Sequence, residues 1–244
     1  MSAPTQRLDL RLLPVEEPRG LWGIKEAGVG TALAALALFC PWWLVVSTDG
    51  TWTNKQALAG AGLVVWLALY HGGTLIIAAL LGPDRRRLPL ASLGFREVSW
   101  GALAGYAGAA FGVMAALYWG YSFVAEQVGA LPAPREDIPV VYAYERHRYA
   151  FILIVAALRP FAEETFFRGF LMQGLTTRLG VISAGTAASV FFALTHLGGG
   201  MGLAIAAFGM GLALAWAFHR SGSLWPGILA NLVFNSFTLS SRVG

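Results

Sequence analysis

The sequence predicts an all-α protein, a polytopic transmembrane helical bundle of about seven spans. The first observation is composition: of 244 residues, 57% are hydrophobic and only 12% are charged, against roughly 25% charged in a soluble domain. Mean hydropathy is +0.61. The second is segmentation, because about 20 apolar residues are needed to cross the hydrocarbon core and the chain offers seven such stretches. The third is the placement of basic residues, which follows the loops between those stretches.

The predicted spans are, in order, Ala27 to Val46, Ala57 to Leu81, Trp100 to Val124, Tyr149 to Leu175, Val181 to Leu197, Met201 to Phe218 and Leu224 to Leu239. Residues 1–26 precede them and carry Arg7, Arg11, Glu16, Glu17, Arg19 and Lys25 with several prolines. That stretch is longer and more polar than a signal-peptide n-region, so no cleaved signal is expected. It is read as a cytoplasmic N-terminal segment, followed by scaffold helices and loops over 27–148 and by the chemistry-bearing helices over 149–244. Cys40, the single cysteine, lies in the first span and reads as a small buried hydrophobe.

With the N-terminus inside, Arg7, Arg11, Arg19, Lys25, Arg85, Arg86, Arg87, Arg96, Arg178 and Arg220 face the cytoplasm, against Lys55, Arg135, Arg146, Arg148 and Arg242 outside. Ten against five follows the positive-inside rule. The net charge of +4 is thereby topology, and nucleic acid is not expected as a partner. Between spans three and four, Glu126 to Arg148 reads as an external loop whose Val140, Val141, Tyr142 and Tyr144 suit the headgroup region. Small residues at helical spacing, Ala102, Gly105, Gly108, Ala109 and Gly112 in span three and Gly202, Ala206, Gly209 and Ala213 in span six, predict close helix packing.

The polar residues of the C-terminal half that its apolar spans do not account for form a short list: Arg159, Glu163, Glu164, Arg168, His196, Asn231 and Asn235. Ionisable groups at membrane depth are costly and usually functional. On a helix Glu164 and Arg168 are i and i+4 and can pair. Glu163 is turned about 100° from Glu164 and has no part in that pair, which leaves it free to titrate and to meet water or substrate. Arg159 precedes Pro160, which breaks or kinks a helix, and its expected role is snorkelling or a lipid contact. Asn231 and Asn235, again i and i+4, point into one space. A carboxylate, a histidine and paired amide donors are what amide hydrolysis requires: a base for water, a second proton-handling group, and donors for the oxyanion. Spacing alone leaves open a structural ion pair, a polar cap at His196 and interhelical glue at the asparagines. His219 and Arg220, before Gly222, read as a topological turn.

Taken together, the run Glu163-Glu164-Thr165-Phe166-Phe167-Arg168-Gly169, then Phe192-Ala193-Leu194-Thr195-His196, then Gly222-Ser223-Leu224-Trp225-Pro226 leading to Asn231 and Asn235, resembles the CPBP family. These are the CAAX-prenyl-protease and bacteriocin-processing intramembrane proteases, also called the Abi family. The resemblance covers roughly residues 149 to 239 and implies an intramembrane endopeptidase with a catalytic chamber inside the helical bundle. By that match Glu163 is the water-activating base, Glu164 and Arg168 order its helix, His196 is its partner and Asn235 is the family's asparagine. Asn231 stands where the family's last motif usually has histidine.

A zinc reading would draw its ligands from Glu163, Glu164 and His196 with that second histidine, and an asparagine amide is a poor zinc ligand. As an oxyanion donor it is well suited. The sequence therefore favours a glutamate-type protease with no cofactor over a zinc enzyme. Expected partners are the bilayer and a membrane-anchored protein or peptide cut near a terminus: a prenylated tail, a bacteriocin-like leader or a C-terminal sorting tail. The expected location is the plasma membrane of a bacterium, since an Ala- and Gly-rich chain using arginine over lysine points to a GC-rich genome. Two other classes remain open, an ion- or proton-coupled transporter and a non-catalytic scaffold or immunity protein.

Overall fold

The computed structural model describes residues 22–46, 52–129, 131–133 and 147–243, with side chains described over 22–38, 62–129, 131–133 and 147–240. Residues 1–21, Cys40 and the interfacial residues Val140, Val141, Tyr142 and Tyr144 lie outside these sets. Among the described residues every regular element is helical. Helix α1 spans Ile24–Val46, α2 spans Trp52–Ala79 and runs into a π-turn at Leu80–Asp84, and α3 spans Trp100–Val128 after a short 3-10 turn at Leu90–Leu93. Ser99 caps α3, its hydroxyl oxygen accepting from the Ala102 amide at 3.3 Å, and Gly129 ends it at φ 66°. A glycine there takes the left-handed conformation without a Cβ penalty.

The helix that follows is composite. Residues 147–153 are α-helical, Ile154–Leu158 form a π-turn, Arg159–Glu163 return to α-helix (α4), and Glu164–Met172 form a second, longer π segment before α5, Gln173–Leu194. Pro160 does not break this helix. It sits at the start of α4 immediately after the π-turn. The bend comes instead at Gly180, whose φ of 73° divides α5 and separates the composite helix, which carries the fourth predicted span, from the limb that carries the fifth. Helix α6, Gly200–Ser221, and α7, Trp225–Val243, complete the chain, with the turn between them set by Gly222 at φ 65°. His219 and Arg220 occupy the last turn of α6, where cations complement the helix dipole.

Each predicted span thus appears as a helix or a helical limb. Among the described residues, three stretches, Gly62–Asp84, Trp100–Val128 and Leu197–Ser221, are long and apolar enough to cross a membrane by length and composition.

Among the described residues, two apolar clusters organise the bundle. One gathers Phe166, Phe167, Phe170, Phe192, Leu224 and Trp22 around the composite helix. The other joins α3, α6 and α7 through Ala110, Met114, Leu214 and Phe234. The small residues of α6 pack closely as expected: a Cβ on Gly209 would lie 2.9 Å from Leu117, and one on Gly211 2.9 Å from Ser189. The α3 glycines do not. Gly105, Gly108 and Gly112 have open space around them, because the face that α3 turns to its neighbours carries Ala107, Ala110 and Met114.

The π segment at Glu164–Met172 is held by side chains that reach its carbonyls. Trp22, fully buried, donates its indole N–H to the Phe170 carbonyl at 2.7 Å, and Gln173 donates to the carbonyls of Gly169 at 2.6 Å and Ser92 at 3.1 Å. A π register displaces backbone bonds and is frequent at functional sites. The Ser223-Leu224-Trp225 run works as a clamp: Leu224 N–H donates to the Gly94 carbonyl at 2.9 Å and the Ser223 hydroxyl to the Arg96 carbonyl at 2.7 Å. It fixes Phe95 between Phe161 and Trp225, at centroid distances of 5.3 and 5.8 Å.

Candidate active site

Two ion pairs run along the composite helix, each at i and i+4. The first is the expected one. Arg168 donates from Nη1 to Glu164 Oε1 at 2.9 Å and from Nη2 to the Gly211 carbonyl at 2.9 Å, and both side chains are fully buried. The guanidinium also lies over the Phe192 ring, 4.7 Å from its centroid, a favourable cation–π placement. This pair ties the composite helix to α5 and α6.

The space beside Glu164 is closed by Gly227, where a Cβ would stand 2.6 Å from Glu164 Oε2. Gly227→Ala is therefore expected to destabilise the protein by about 1–3 kcal/mol, the usual cost of overpacking. A thermal unfolding comparison in detergent checks this; an unchanged midpoint would show that the carboxylate can move aside.

The second pair corrects the sequence reading of Glu163 as unpaired. Arg159 donates from Nε to Glu163 Oε1 at 2.7 Å. Asn231, 68 residues away on α7, donates from Nδ2 to Glu163 Oε2 at 3.0 Å. Both oxygens of the buried Glu163 carboxylate are therefore engaged. Arg159 reaches further, from Nη2 to His196 Nε2 at 2.5 Å, and so is held within this polar cluster, in place of the expected snorkelling or lipid contact. The chain of contacts Asn231–Glu163–Arg159–His196 brings three separate helical regions to one point.

The hydrogen-bond network assigns the tautomer of His196. An arginine can only donate, so Nε2 accepts; the Phe192 carbonyl, 2.9 Å from Nδ1, can only accept, so Nδ1 carries the hydrogen. His196 is thus a neutral imidazole directing a lone pair at Arg159. Its ring also packs on Phe192 at 4.6 Å between centroids, which places it in the turn after α5.

Asn235 is buried one helical turn from Asn231 but serves another partner, donating to the Val155 carbonyl at 3.2 Å. That carbonyl lies in the first π-turn, so Asn235 holds the register that precedes Arg159. Each asparagine amide has two N–H groups, and one in each is committed to these bonds.

Helix α2, which reads as scaffold in the sequence, also reaches the site. Tyr70 and His71 are buried, their rings edge to face at 5.0 Å, and His71 Nδ1 is buried with no hydrogen-bond partner. His71 lies within electrostatic reach of Glu163, Arg159 and His196. The sequence signal for it was a lone histidine inside an apolar span, which is by itself reason to suspect a site.

The donor set does not fit a zinc ion. Glu164 is turned towards Arg168, a guanidinium stands between Glu163 and His196, and among the described residues no three His, Cys, Asp or Glu side chains are placed to hold a metal.

No curated protein and no solved structure matches this chain. Residues 145–237 match the family model described as type II CAAX prenyl endopeptidase Rce1-like. The matched region contains Arg159, Glu163, Glu164, Arg168, His196, Asn231 and Asn235, and leaves out Tyr70 and His71. The segment that builds this buried polar cluster is therefore the part of the chain that is similar to the Rce1-like CAAX prenyl endopeptidases.

Proposed function

We propose that the protein is an intramembrane endopeptidase that hydrolyses a peptide bond of a membrane-anchored protein or peptide near one of its termini, by a glutamate-type mechanism without a metal. The observation that carries this reading is the Glu163 carboxylate, buried in the bundle, oriented by Asn231 and linked through Arg159 to a neutral His196. Glu163 takes one proton from a water, and the hydroxide adds to the substrate's carbonyl carbon. The N–H of Asn231 that Glu163 does not use, together with Asn235, donates to the oxyanion. As the C–N bond breaks, the proton passes to the leaving nitrogen, with His196 as the second proton-handling group. The substrate enters from the bilayer or its interface, because the cluster lies among helices whose outer faces are apolar.

Purified protein in liposomes, offered a panel of membrane-anchored reporter peptides with the products read by mass spectrometry, tests the activity. One defined cut in a subset of reporters is expected. No cut in any reporter by a folded protein would count against the proposal. In the same assay Asn231→Ala is expected to lower kcat by about 10²–10³-fold, the range for loss of one oxyanion donor. A fall in binding with kcat intact would instead assign Asn231 to substrate docking.

A further inference from the structure

Arg159 stands where a water would have to stand. A water shared by Glu163 and His196 needs a free carboxylate oxygen and the free lone pair of Nε2. In the structure one guanidinium takes Oε1 at 2.7 Å and Nε2 at 2.5 Å. Asn231 takes the second carboxylate oxygen. The arrangement as it stands is closed to the chemistry.

The arginine is nevertheless the most exposed member of the cluster. Its side chain is 27% exposed, against 6% for Glu163, and only two of its five N–H donors are used by these partners. It projects from the junction of the π-turn at Ile154–Leu158 with α4. An unpaired guanidinium inside a membrane is costly, so Arg159 leaves Glu163 only for another acceptor. A carboxylate is the best match, because the guanidinium fork suits it geometrically, and exchanging one carboxylate for another leaves the cation paired throughout.

We infer that Arg159 is a substrate-responsive latch: a carboxylate on the substrate, at its C-terminus or on an acidic side chain near the cut, draws the guanidinium from Glu163 and His196 and opens the water site. This inference rests on the protease reading and makes Arg159 a positioning and specificity residue. A purely structural arginine would be indifferent to the charge of the substrate.

The test uses one reporter peptide in three forms: free C-terminal acid, C-terminal amide, and a form with Asp and Glu near the cut replaced by Asn and Gln. Cleavage and binding, the latter by fluorescence anisotropy of labelled peptide, are measured on the full chain in liposomes. Wild type is expected to lose about tenfold or more in kcat/KM when the relevant carboxylate is neutralised, the size of a charge-assisted hydrogen bond. Which form loses identifies the source of the carboxylate. Arg159→Gln is expected to bring the charged and neutral forms within about twofold of each other, and Arg159→Lys, which keeps the charge and the fold's ion pair, to retain part of the preference.

Equal handling of all three forms by wild type would overturn the inference, as would a preference that survives in Arg159→Gln. If no form is cleaved, the protease reading fails on its own account. The binding comparison still decides the latch: tighter binding of the charged form, lost in Arg159→Gln, supports it, and equal binding overturns it.

Discussion

Replacing Glu163 by glutamine is expected to abolish peptide hydrolysis, by at least about 10³-fold in kcat, within the range that general-base catalysis supplies. The substitution is nearly isosteric. The glutamine oxygen can still accept from Arg159 or Asn231, so the fold and peptide binding are expected to survive. What is lost is the ability to take a proton from water. Glu163→Asp keeps the carboxylate but withdraws it by one methylene from the bonds at 2.7 and 3.0 Å to Arg159 and Asn231, and is expected to retain a small residual rate. Matched rates for wild type and Glu163→Gln would remove Glu163 from the chemistry and leave the pair as structural glue, while the scaffold or immunity class predicts no hydrolysis by either protein. A transporter would show pH-driven ion flux lost in the same variant, with no dependence on Asn231 or Asn235.

The second large effect concerns stability. Arg168→Ala is expected to cost about 3–5 kcal/mol, because it leaves the Glu164 carboxylate buried without its partner. Both side chains are fully buried, and Arg168 also bonds to the Gly211 carbonyl on α6. The variant is therefore expected to unfold at markedly lower denaturant or temperature, or to fail to accumulate. The double variant Glu164→Gln with Arg168→Met removes both charges and is expected to recover much of that loss, as apolar replacement of buried ion pairs often does. If the single variant proved as stable as wild type, the pair would not be the tie between helices described above.

The helical class and the positions of the helices were legible, since hydropathy and span length report burial in lipid directly. The Glu164–Arg168 pair was legible too, from i,i+4 geometry. The same rule applied five residues earlier gives Arg159–Glu163, but Pro160 between them reads as a break. The π-turn at Ile154–Leu158 absorbs that proline and keeps the two side chains on one face.

Other parts of the site rest on tertiary contacts that local periodicity does not encode. Asn231 meets Glu163 across 68 residues, and spacing within α7 says only that Asn231 and Asn235 share a side. Once folded, the two separate, one to Glu163 and the other to the Val155 carbonyl. His71 arrives from α2, outside the motif-bearing segment. The α3 glycines mislead for a related reason: a small-residue stripe fits close packing, but which face meets a neighbour is decided by the rest of the bundle.

The most direct test of the account is cleavage of a membrane-anchored reporter in liposomes by wild type and Glu163→Gln, each with and without a strong zinc chelator. Cleavage by wild type that withstands the chelator and is absent in Glu163→Gln is the predicted result. Cleavage that stops with the chelator and returns with added zinc would contradict the glutamate mechanism and require Glu163 and His196 to leave Arg159 for a metal.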